Sequence, residues 1–513
     1  MDRNYLMAID QGTTGSTVQI LDLEKLGTQQ LIAKNTVNFT QHYPKTSWVE
    51  HDLNEIWTSV QKASQQAIKI AENIDSNFSA KKIKGIGIAN QRETLCIFSR
   101  KTSEPLRRAI VWQCKRSMAI CEELRKGGYG PFVQDKTGLL LDPYFTGSKI
   151  LWTLRNDPEI KQKLSNGTAV LGTIDTYLIS RLSHSKVFAT EASNASRTLL
   201  FDIKKGEWNL ELLEIFGLKN TASLAQIHDS ASKIAYTKGL DFLPDGIPIC
   251  GVLGDQQAAL AGQTCFKKGE VKCTYGTGAF LLLQLGEELL RSHHGLLTTV
   301  NWSLEGTLSY SFEGSTFIAG AAIQFLRDNL NMIDSAAETA ALADNIMAAP
   351  EIYFVPALSG LGAPWWNPNA KGAFFGLSRG SQKNQMIRAT LEGMTFQVYD
   401  LLEAMKKDYN EKLEVLRVDG GASANNLLMN IQANIADLKV ERPNNLETTG
   451  YGAALFASLG LGIYSKVEEL YKLRQVEREF HPDTADGYKT TRLAQIKGWK
   501  KAIEAVQVFS AKD

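Results

Sequence analysis

The feature that most restricts this chain of 513 residues is a pattern that occurs twice, about half a chain apart. The first copy reads Tyr5-Leu-Met-Ala-Ile-Asp10-Gln-Gly-Thr-Thr-Gly15-Ser-Thr17. An apolar run ends in an acid, a turn of glycine and threonine comes next, and an alternating run begins at Thr17, with Val18, Ile20 and Leu23 spaced around Gln19 and Asp22. The second copy spans Glu270 to Gln284 and has Gly276-Thr277-Gly278 at its tip. A third glycine turn, Asp419-Gly420-Gly421-Ala-Ser-Ala-Asn425, comes after the apolar Leu413 to Val418. It leads into a helical spacing marked by Leu428, Ile431, Ile435 and Leu438. Glycine lets main chain approach a ligand closely, and successive turn N–H groups form a concave site for anions. An acid at a strand end suits hydrated Mg²⁺, which takes a carboxylate or two plus phosphate oxygens. One such hairpin is equally an ordinary tight turn. Three, each after a strand and with the first two half a chain apart, point to two similar domains facing one nucleotide.

The chain is long enough for two cores. Its net charge of +1 gives no case for a nucleic-acid or membrane surface. Six cysteines include no C-x-x-C pair, which weakens zinc and disulfide-exchange readings. No basic-then-apolar leader precedes Tyr5, and the glycine-studded run from Ala453 to Tyr464 is too short to span a bilayer. A cytoplasmic protein without membrane insertion is expected.

Gln30 to Val37 reads as a third strand, and Asp52 with Glu55 has capping-box spacing at the start of a helix. Ile56, Val60, Ala63, Ala67 and Ile70 give that helix one apolar face. A Rossmann domain would pass from its first glycine loop directly into a helix, whereas here the loop leads into a strand. The predicted fold class is therefore α/β, with two RNase-H-like domains of the actin and hexokinase type and a cleft between them. The expected boundaries are 1–260 for a domain binding mainly a small substrate and 261–513 for one binding mainly nucleotide.

Ligands in α/β sheets bind beyond the carboxyl ends of strands. Gly85 to Ile88 delivers Arg92 and Glu93 there, a fork of donors beside an acceptor, which suits a polyol and would equally serve as a surface ion pair. Ala109 to Gln113 reads as a strand bringing Trp112, either a cover for a small carbon chain or a core residue. Tyr144 stands in a loop entering a helix, with a hydroxyl for a ligand or a ring for packing. Asp255 ends the strand from Ile247 and can act as base on a hydroxyl or only cap the next helix. Gln256 beside it can accept from and donate to a second hydroxyl. Phe312-Glu313-Gly314 and Ala319 to Leu326 are expected to open a long helix, whose small residues admit a flat ring or close packing. Thr448 to Ala454 reads as a small-residue helix start beneath the third glycine turn.

Taken together, these stretches resemble the FGGY carbohydrate kinases, and within them the members that act on glycerol. The likeness is carried by Asp10-Gln-Gly-Thr-Thr, Asn90-Gln-Arg-Glu-Thr94, Ile110-Val-Trp-Gln-Cys114, Leu141-Asp-Pro-Tyr-Phe145, Asn194-Ala-Ser-Arg-Thr198, Gly254-Asp-Gln-Gln-Ala-Ala259, Thr274-Tyr-Gly-Thr-Gly278, Gly360-Leu-Gly-Ala-Pro364 and Arg417-Val-Asp-Gly-Gly-Ala422, in the family's order over nearly the whole chain. The resemblance implies ATP-dependent phosphorylation of glycerol to sn-glycerol 3-phosphate. Asp255 would be the base and, with Arg92, the catalytic pair. Arg92, Glu93, Tyr144, Asp255 and Gln256 would hold hydroxyls, with Trp112 and Phe280 along the carbon chain. Asp10 would hold Mg²⁺. Thr13, Thr14, Gly15 and position 17 would meet the ATP phosphates from one side, and Thr277 and Gly278 from the other. Gly320, Gln324, Gly421 and Asn425 would surround the adenosine. A homodimer or homotetramer is implied as well. The alternatives are a family member acting on a ketose or another polyol, and an actin-like ATP switch. A switch would have no use for Arg92, Glu93, Asp255 and Gln256.

Two departures stand out. The family's phosphate hairpin reads Gly-Thr-Thr-Ser-Ser-Arg, and this one has Thr17 where the arginine stands, which removes a charge-assisted contact. Some bacterial members also carry a glycine-rich basic loop that binds the inhibitor fructose 1,6-bisphosphate. The corresponding Thr237 to Asp245 has two acids and no arginine, so weak or absent inhibition is expected.

Overall fold

The computed structural model describes residues 3–28, 31–344 and 352–511. Two large mixed sheets organise it. The first contains β1 (Tyr5–Gln11), β2 (Gly15–Asp22), β3 (Leu31–Asn38), β4 (Ile83–Asn90), β5 (Ala235–Tyr236) and β6 (Pro248–Gly254), in the order β5-β6-β4-β1-β2-β3. The second contains β7 (Val271–Tyr275), β8 (Ala279–Gly286), β9 (Leu297–Leu304), β10 (Thr307–Thr316), β11 (Val415–Asp419), β12 (Lys439–Pro443) and β13 (Val476–Phe480), in the order β9-β10-β8-β7-β11-β12-β13.

Both sheets share one plan. A first strand pairs antiparallel with its hairpin partner, β1 with β2 and β7 with β8. On its other side it pairs parallel with a later strand, β1 with β4 and β7 with β11. A second parallel strand lies beyond it in each, β6 and β12. The second sheet adds β9 outside β10. The repeat seen in the sequence is thus a repeat of topology, as the predicted fold class requires.

β1 is apolar at nearly every position because both its faces are covered. Tyr5, Met7 and Ile9 pack with Leu53, Ile56 and Val60 of helix α1 (Leu53–Ile74). Leu6 and Ala8 pack with Ala454 and Leu455 from near the other end of the chain. Those two residues belong to α5 (Thr448–Gly460), which comes after α2 (Asp255–Gly262), α3 (Lys383–Tyr409) and α4 (Asn426–Ala436). The small residues of α5 therefore serve the first sheet and α2, while Thr448 at its start hydrogen-bonds Asp419 of the third glycine turn, so only the first residue of this helix meets that turn. The approach is backbone to backbone. A Cβ placed on Gly452 would lie 1.8 Å from the Ala258 carbonyl oxygen in α2, and one on Gly87 would lie 2.2 Å from that of Ala453.

Other expectations shift locally. Gln30 lies outside the described residues, and the third strand begins at Leu31. Asp52 caps α1 through the Asn54 N–H at 2.8 Å, but Glu55 does not close a capping box. It instead accepts from the Thr40 N–H at 3.0 Å and pairs with His42. Only Ala109–Ile110 is a strand in the third predicted run, held against Glu50–His51, so Trp112 stands in the turn beyond it. Phe312 to Gly314 is not helical. The segment continues β10, and its strand pairs with neighbours on both sides. The helix after it is short, Gly320–Gln324, and passes into one π turn over Phe325–Asn329. All six cysteines are buried and unpaired. Among the described residues no helix is long and apolar enough to cross a membrane.

Candidate functional site

Arg92 and Glu93 emerge from the end of β4 into a buried ionic cluster. The Arg92 guanidinium grips Glu313 of β10 with both ends, Nη1 to Oε2 at 2.7 Å and Nη2 to Oε1 at 2.8 Å. Arg197 donates from Nε to Glu93 Oε1 at 2.6 Å and from Nη2 to Glu313 Oε1 at 3.0 Å. All four residues are at most 2% exposed, so none is a surface ion pair. Burial alone would raise the Glu313 carboxyl, but Arg197 and Arg92 outweigh it and hold the group at about 2. Glu93 has a positive φ of 59°, a conformation that costs about 1–3 kcal/mol in a non-glycine residue. Its carbonyl is held there by Thr146 Oγ1 at 3.0 Å and by the buried Lys149 Nζ at 3.3 Å.

Asp255 lies beside this cluster. The cap of α2 is Gly254, so Asp255 is the first helical residue and capping does not explain it. The buried Arg92 Nε donates no hydrogen bond. It sits 3.4 Å from Asp255 Oδ1 and 3.8 Å from Glu93 Oε1. A fixed donor thus stands between two carboxylates with its own bond unmade. Burial raises the Asp255 pKa and Arg92 opposes the rise. The Gln256 carbonyl accepts from Lys272 Nζ at 2.6 Å, which ties the side chain to the second sheet beside Asp255 and leaves its N–H groups as donors.

The facing wall comes from the second sheet. Register places Lys272, Leu282 and Glu313 in one row, and Thr274, Phe280 and Ser315 in the next, on the same face. Phe280 is therefore one row beyond Glu313 toward the strand ends. On the first half, Trp112 and Tyr144 meet edge to face with centroids 5.5 Å apart, and Arg197 lies 5.8 Å above the Tyr144 ring. The Trp112 indole N–H donates to Thr13 Oγ1 at 3.0 Å, which links this aromatic wall to the first glycine turn.

That turn is held from behind. The Gly12 N–H closes on the Gly15 carbonyl at 2.9 Å. Gln41 Nε2 donates to the Thr13 carbonyl at 2.9 Å, and Gln41 Oε1 meets His51 Nε2 at 2.6 Å. Gln91 Nε2 reaches both His51 Nδ1 at 3.4 Å and the Gly12 carbonyl at 3.2 Å. Burial, then the nearby His42, lowers the His51 pKa to about 4, so the ring is neutral. Gln91 supplies the proton at Nδ1, and His51 therefore carries its own on Nε2. Thr14, at the tip, is exposed. Thr17 is occupied with Thr36, hydroxyl to hydroxyl at 2.9 Å. The half-buried Asp10 accepts no hydrogen bond among the described residues. Burial, then Asp255 and Glu447, pushes it up to about 8, and Lys34 opposes them. A carboxylate without donors, crowded by like charge, is the environment a divalent cation relieves.

The second turn closes by the Gly276 N–H on the Gly278 carbonyl at 2.9 Å. The Gly320 N–H donates to the Gly276 carbonyl at 3.0 Å and the Ala319 N–H to that of Thr277 at 2.8 Å, so Gly320 is fixed against this turn. Gln324 is exposed a turn later. Gly420 packs on the end of β7, and nothing lies within 4 Å of a Cβ built on Gly421. Asn425 spends its side chain locally, accepting from the Leu428 N–H at 3.1 Å and donating to Thr339 Oγ1 at 3.1 Å.

Three members of the buried cluster, Glu313, Lys272 and Arg197, are not candidate site residues on sequence alone. A signal exists for the first two, since each is the one charged residue of a strand that is otherwise uncharged, and such a charge can be buried only when paired. The Gln41, His51 and Gln91 relay carries no such signal.

Residues 5–262 match the N-terminal domain of the FGGY family of carbohydrate kinases and residues 271–461 its C-terminal domain. The chain is 45% identical over 509 residues to a glycerol kinase of Staphylococcus haemolyticus, covering 99% of each. It is 45% identical over 502 residues to one of Myxococcus xanthus, covering 98% of this chain and 99% of that relative. A crystal structure of Plasmodium falciparum glycerol kinase with ADP superposes with a TM-score of 0.90 at 35% identity, covering 98% of each chain. A ligand-bound xylulose kinase of Lactobacillus acidophilus shares the fold, with a TM-score of 0.84 at 20% identity over 99% of this chain and all of that one.

Proposed function

The chain belongs to the FGGY family of carbohydrate kinases, and from that premise we propose that it transfers the γ-phosphoryl group of ATP to glycerol, making sn-glycerol 3-phosphate. The observation that carries this reading is the uncommitted donor at Arg92 Nε between Asp255 and Glu93. A small polyol has adjacent hydroxyls that accept from one such group and donate to the flanking carboxylates. The names and full-length identity of the relatives support the same acceptor.

In this reading Arg92, Glu93 and the Gln256 amide orient the hydroxyls, and Tyr144 offers its own. Trp112 and Phe280 cover the carbon chain. Asp255 takes the proton from the terminal hydroxyl as its oxygen attacks phosphorus, and the O–P bond to ADP breaks on the far side. The ring of buried charge behind Asp255 fixes the pocket before substrate arrives, so little reorganisation accompanies the reaction. Main-chain N–H groups at Thr13, Thr14 and Gly15, with Thr277 and Gly278 opposite, receive the phosphates. Gly320 and Gly421 leave room for adenosine, with Gln324 and Asn425 at its edge. Mg²⁺, when bound, neutralises charge on the phosphate oxygens, and Asp10 would hold it.

The direct test is ATP turnover against glycerol, dihydroxyacetone, xylulose and gluconate with Mg²⁺ present. Turnover with glycerol well above the others is expected. Preference for xylulose or gluconate would move the chain to another branch of the family, and acceptor-independent ATP use would overturn the reading. A cytoplasmic location and self-association as a homodimer or homotetramer belong to the same proposal and rest on family likeness alone. A single-chain mass by light scattering would sink the latter.

A further inference from the structure

The first glycine hairpin lacks the basic residue that its family pattern carries at position 17, and Thr17 is engaged with Thr36 instead. We propose that Lys34, on the neighbouring strand β3, supplies the missing positive charge to the ATP phosphates. This rests on the kinase reading above and deepens it. Strand register puts the lysine on the right surface. Asp10, Thr17 and Thr36 are partners across β1, β2 and β3, and Ala8, Gln19 and Lys34 form the row two residues behind. Residues two apart share a face of the sheet, so Lys34 projects from the same surface as Asp10 and Thr17. The two rows are about 7 Å apart, a span a four-carbon lysine stem covers.

The side chain goes toward the tip. Lys34 Nζ pairs with Glu447, the residue at the cap of α5. Its charge is also felt at Asp10, where it opposes the rise caused by burial and the neighbouring acids. The Lys34 side chain is one-third exposed and that of Glu447 44% exposed. The ammonium is therefore a half-open charge paired with Glu447 on the face of the sheet that carries Asp10 and Thr17, not a group sealed in the core. An exposed ion pair of this kind is weak and exchanges readily for a polyphosphate, which offers more charge and more acceptor oxygens. A lysine on β3 reaches the space that an arginine on β2 would otherwise fill.

The test compares ATP with adenosine. Dissociation constants for both are measured by calorimetry for the wild-type protein, K34M, E447Q and the double variant K34M/T17R, with melting temperatures alongside. Lys34→Met should weaken ATP about 10-fold or more while leaving adenosine within about 2-fold, since a charge-assisted phosphate contact is lost and no base or sugar contact is touched. Restoring an arginine at position 17 in that background should recover ATP affinity to within about 3-fold of wild type, because it returns the same class of contact. Glu447→Gln should leave ATP unchanged or tighter, because it frees the lysine. If Lys34 only ties the two halves together, K34M and E447Q will lower the melting temperature alike and weaken ATP and adenosine alike, and the inference fails. If K34M does not fold, E447Q alone decides, and weaker ATP binding in it overturns the proposal. A wild-type protein that turns over ATP with glycerol but whose ATP affinity ignores Lys34 sinks this inference alone. A wild-type protein that binds no ATP sinks it together with the reading beneath it.

Discussion

The two halves share a topology but present different chemistry at the same strand ends. At the tips of the first sheet the cleft is lined by side chains: Asp10, Arg92, Glu93 and Asp255, with Gln41, His51 and Gln91 behind them. At the tips of the second it is built largely from glycine backbone: Gly276 and Gly421 leave room where a Cβ would stand, while Gly278, Gly320 and Gly420 let neighbouring main chain pack against the turns. The difference matches the ligand each half would have to recognise. Three hydroxyls on a small carbon chain are told apart only by donors and acceptors fixed in place, whereas a phosphate is held by any concave set of N–H groups. The halves meet where Glu313 of β10 enters the side-chain cluster of the first.

The sharpest way to break this comparison is at Asp255. Asp255→Asn should lower kcat by about 10²–10⁴-fold with little change in melting temperature, since Asp255 lies in the cleft and is not a cap. Retained turnover would remove the base from the first half. Next is the seam. Glu313→Gln leaves two buried guanidinium groups short of an anion and should destabilise the fold by about 3–5 kcal/mol, read by denaturant unfolding, while raising KM for glycerol more than for ATP. An unchanged unfolding midpoint would mean that the cluster does not bind the halves.

The backbone side is sharpened by two adjacent glycines. Gly420 has φ of 83° and a Cβ there would sit 2.5 Å from the Tyr275 carbonyl oxygen. Gly420→Ala should therefore cost about 1–3 kcal/mol of stability. Gly421 has open space around its Cβ position, so Gly421→Ala should leave stability unchanged or raise it by about 0.4–1 kcal/mol, yet weaken ATP. Loss of stability at Gly421, or no effect of it on ATP, would assign this turn to packing. The smallest effect is expected from fructose 1,6-bisphosphate. In the loop from Thr237 to Asp245, Asp245 takes Lys238 Nζ at 2.6 Å and the Gly239 N–H at 2.7 Å, so an aspartate already occupies the place of an anion. Added bisphosphate should leave the initial rate unchanged, and strong inhibition would show that the loop reopens.

Much of the site is legible in the sequence because it lies next to strands whose ends the sequence marks. Asp10, Arg92, Glu93 and Asp255 all come just after apolar runs, and an α/β sheet exposes the residues beyond its strand ends. Glu313 escapes because its segment passes for the start of the helix at Gly320, although it is a strand of the second sheet whose Glu313 side chain reaches Arg92 and Arg197 of the other half. Lys34 draws no notice because a lysine on an edge strand is ordinary, and only the neighbouring rows of β1 and β2 give it meaning.

The sequence by itself determined the repeated strand–turn–strand plan, the apolar faces and the residues at the strand ends, since these depend on local period and on glycine in turns. The tertiary structure alone decided which distant segments share a surface. It set α5 onto the first sheet at Gly87 and onto α2 at Gly452, brought Glu313 to Arg92 across 221 positions, and placed Lys34 beside Glu447. Such pairings depend on how two sheets pack against shared helices, and no local pattern encodes the distance between residues so far apart in the chain.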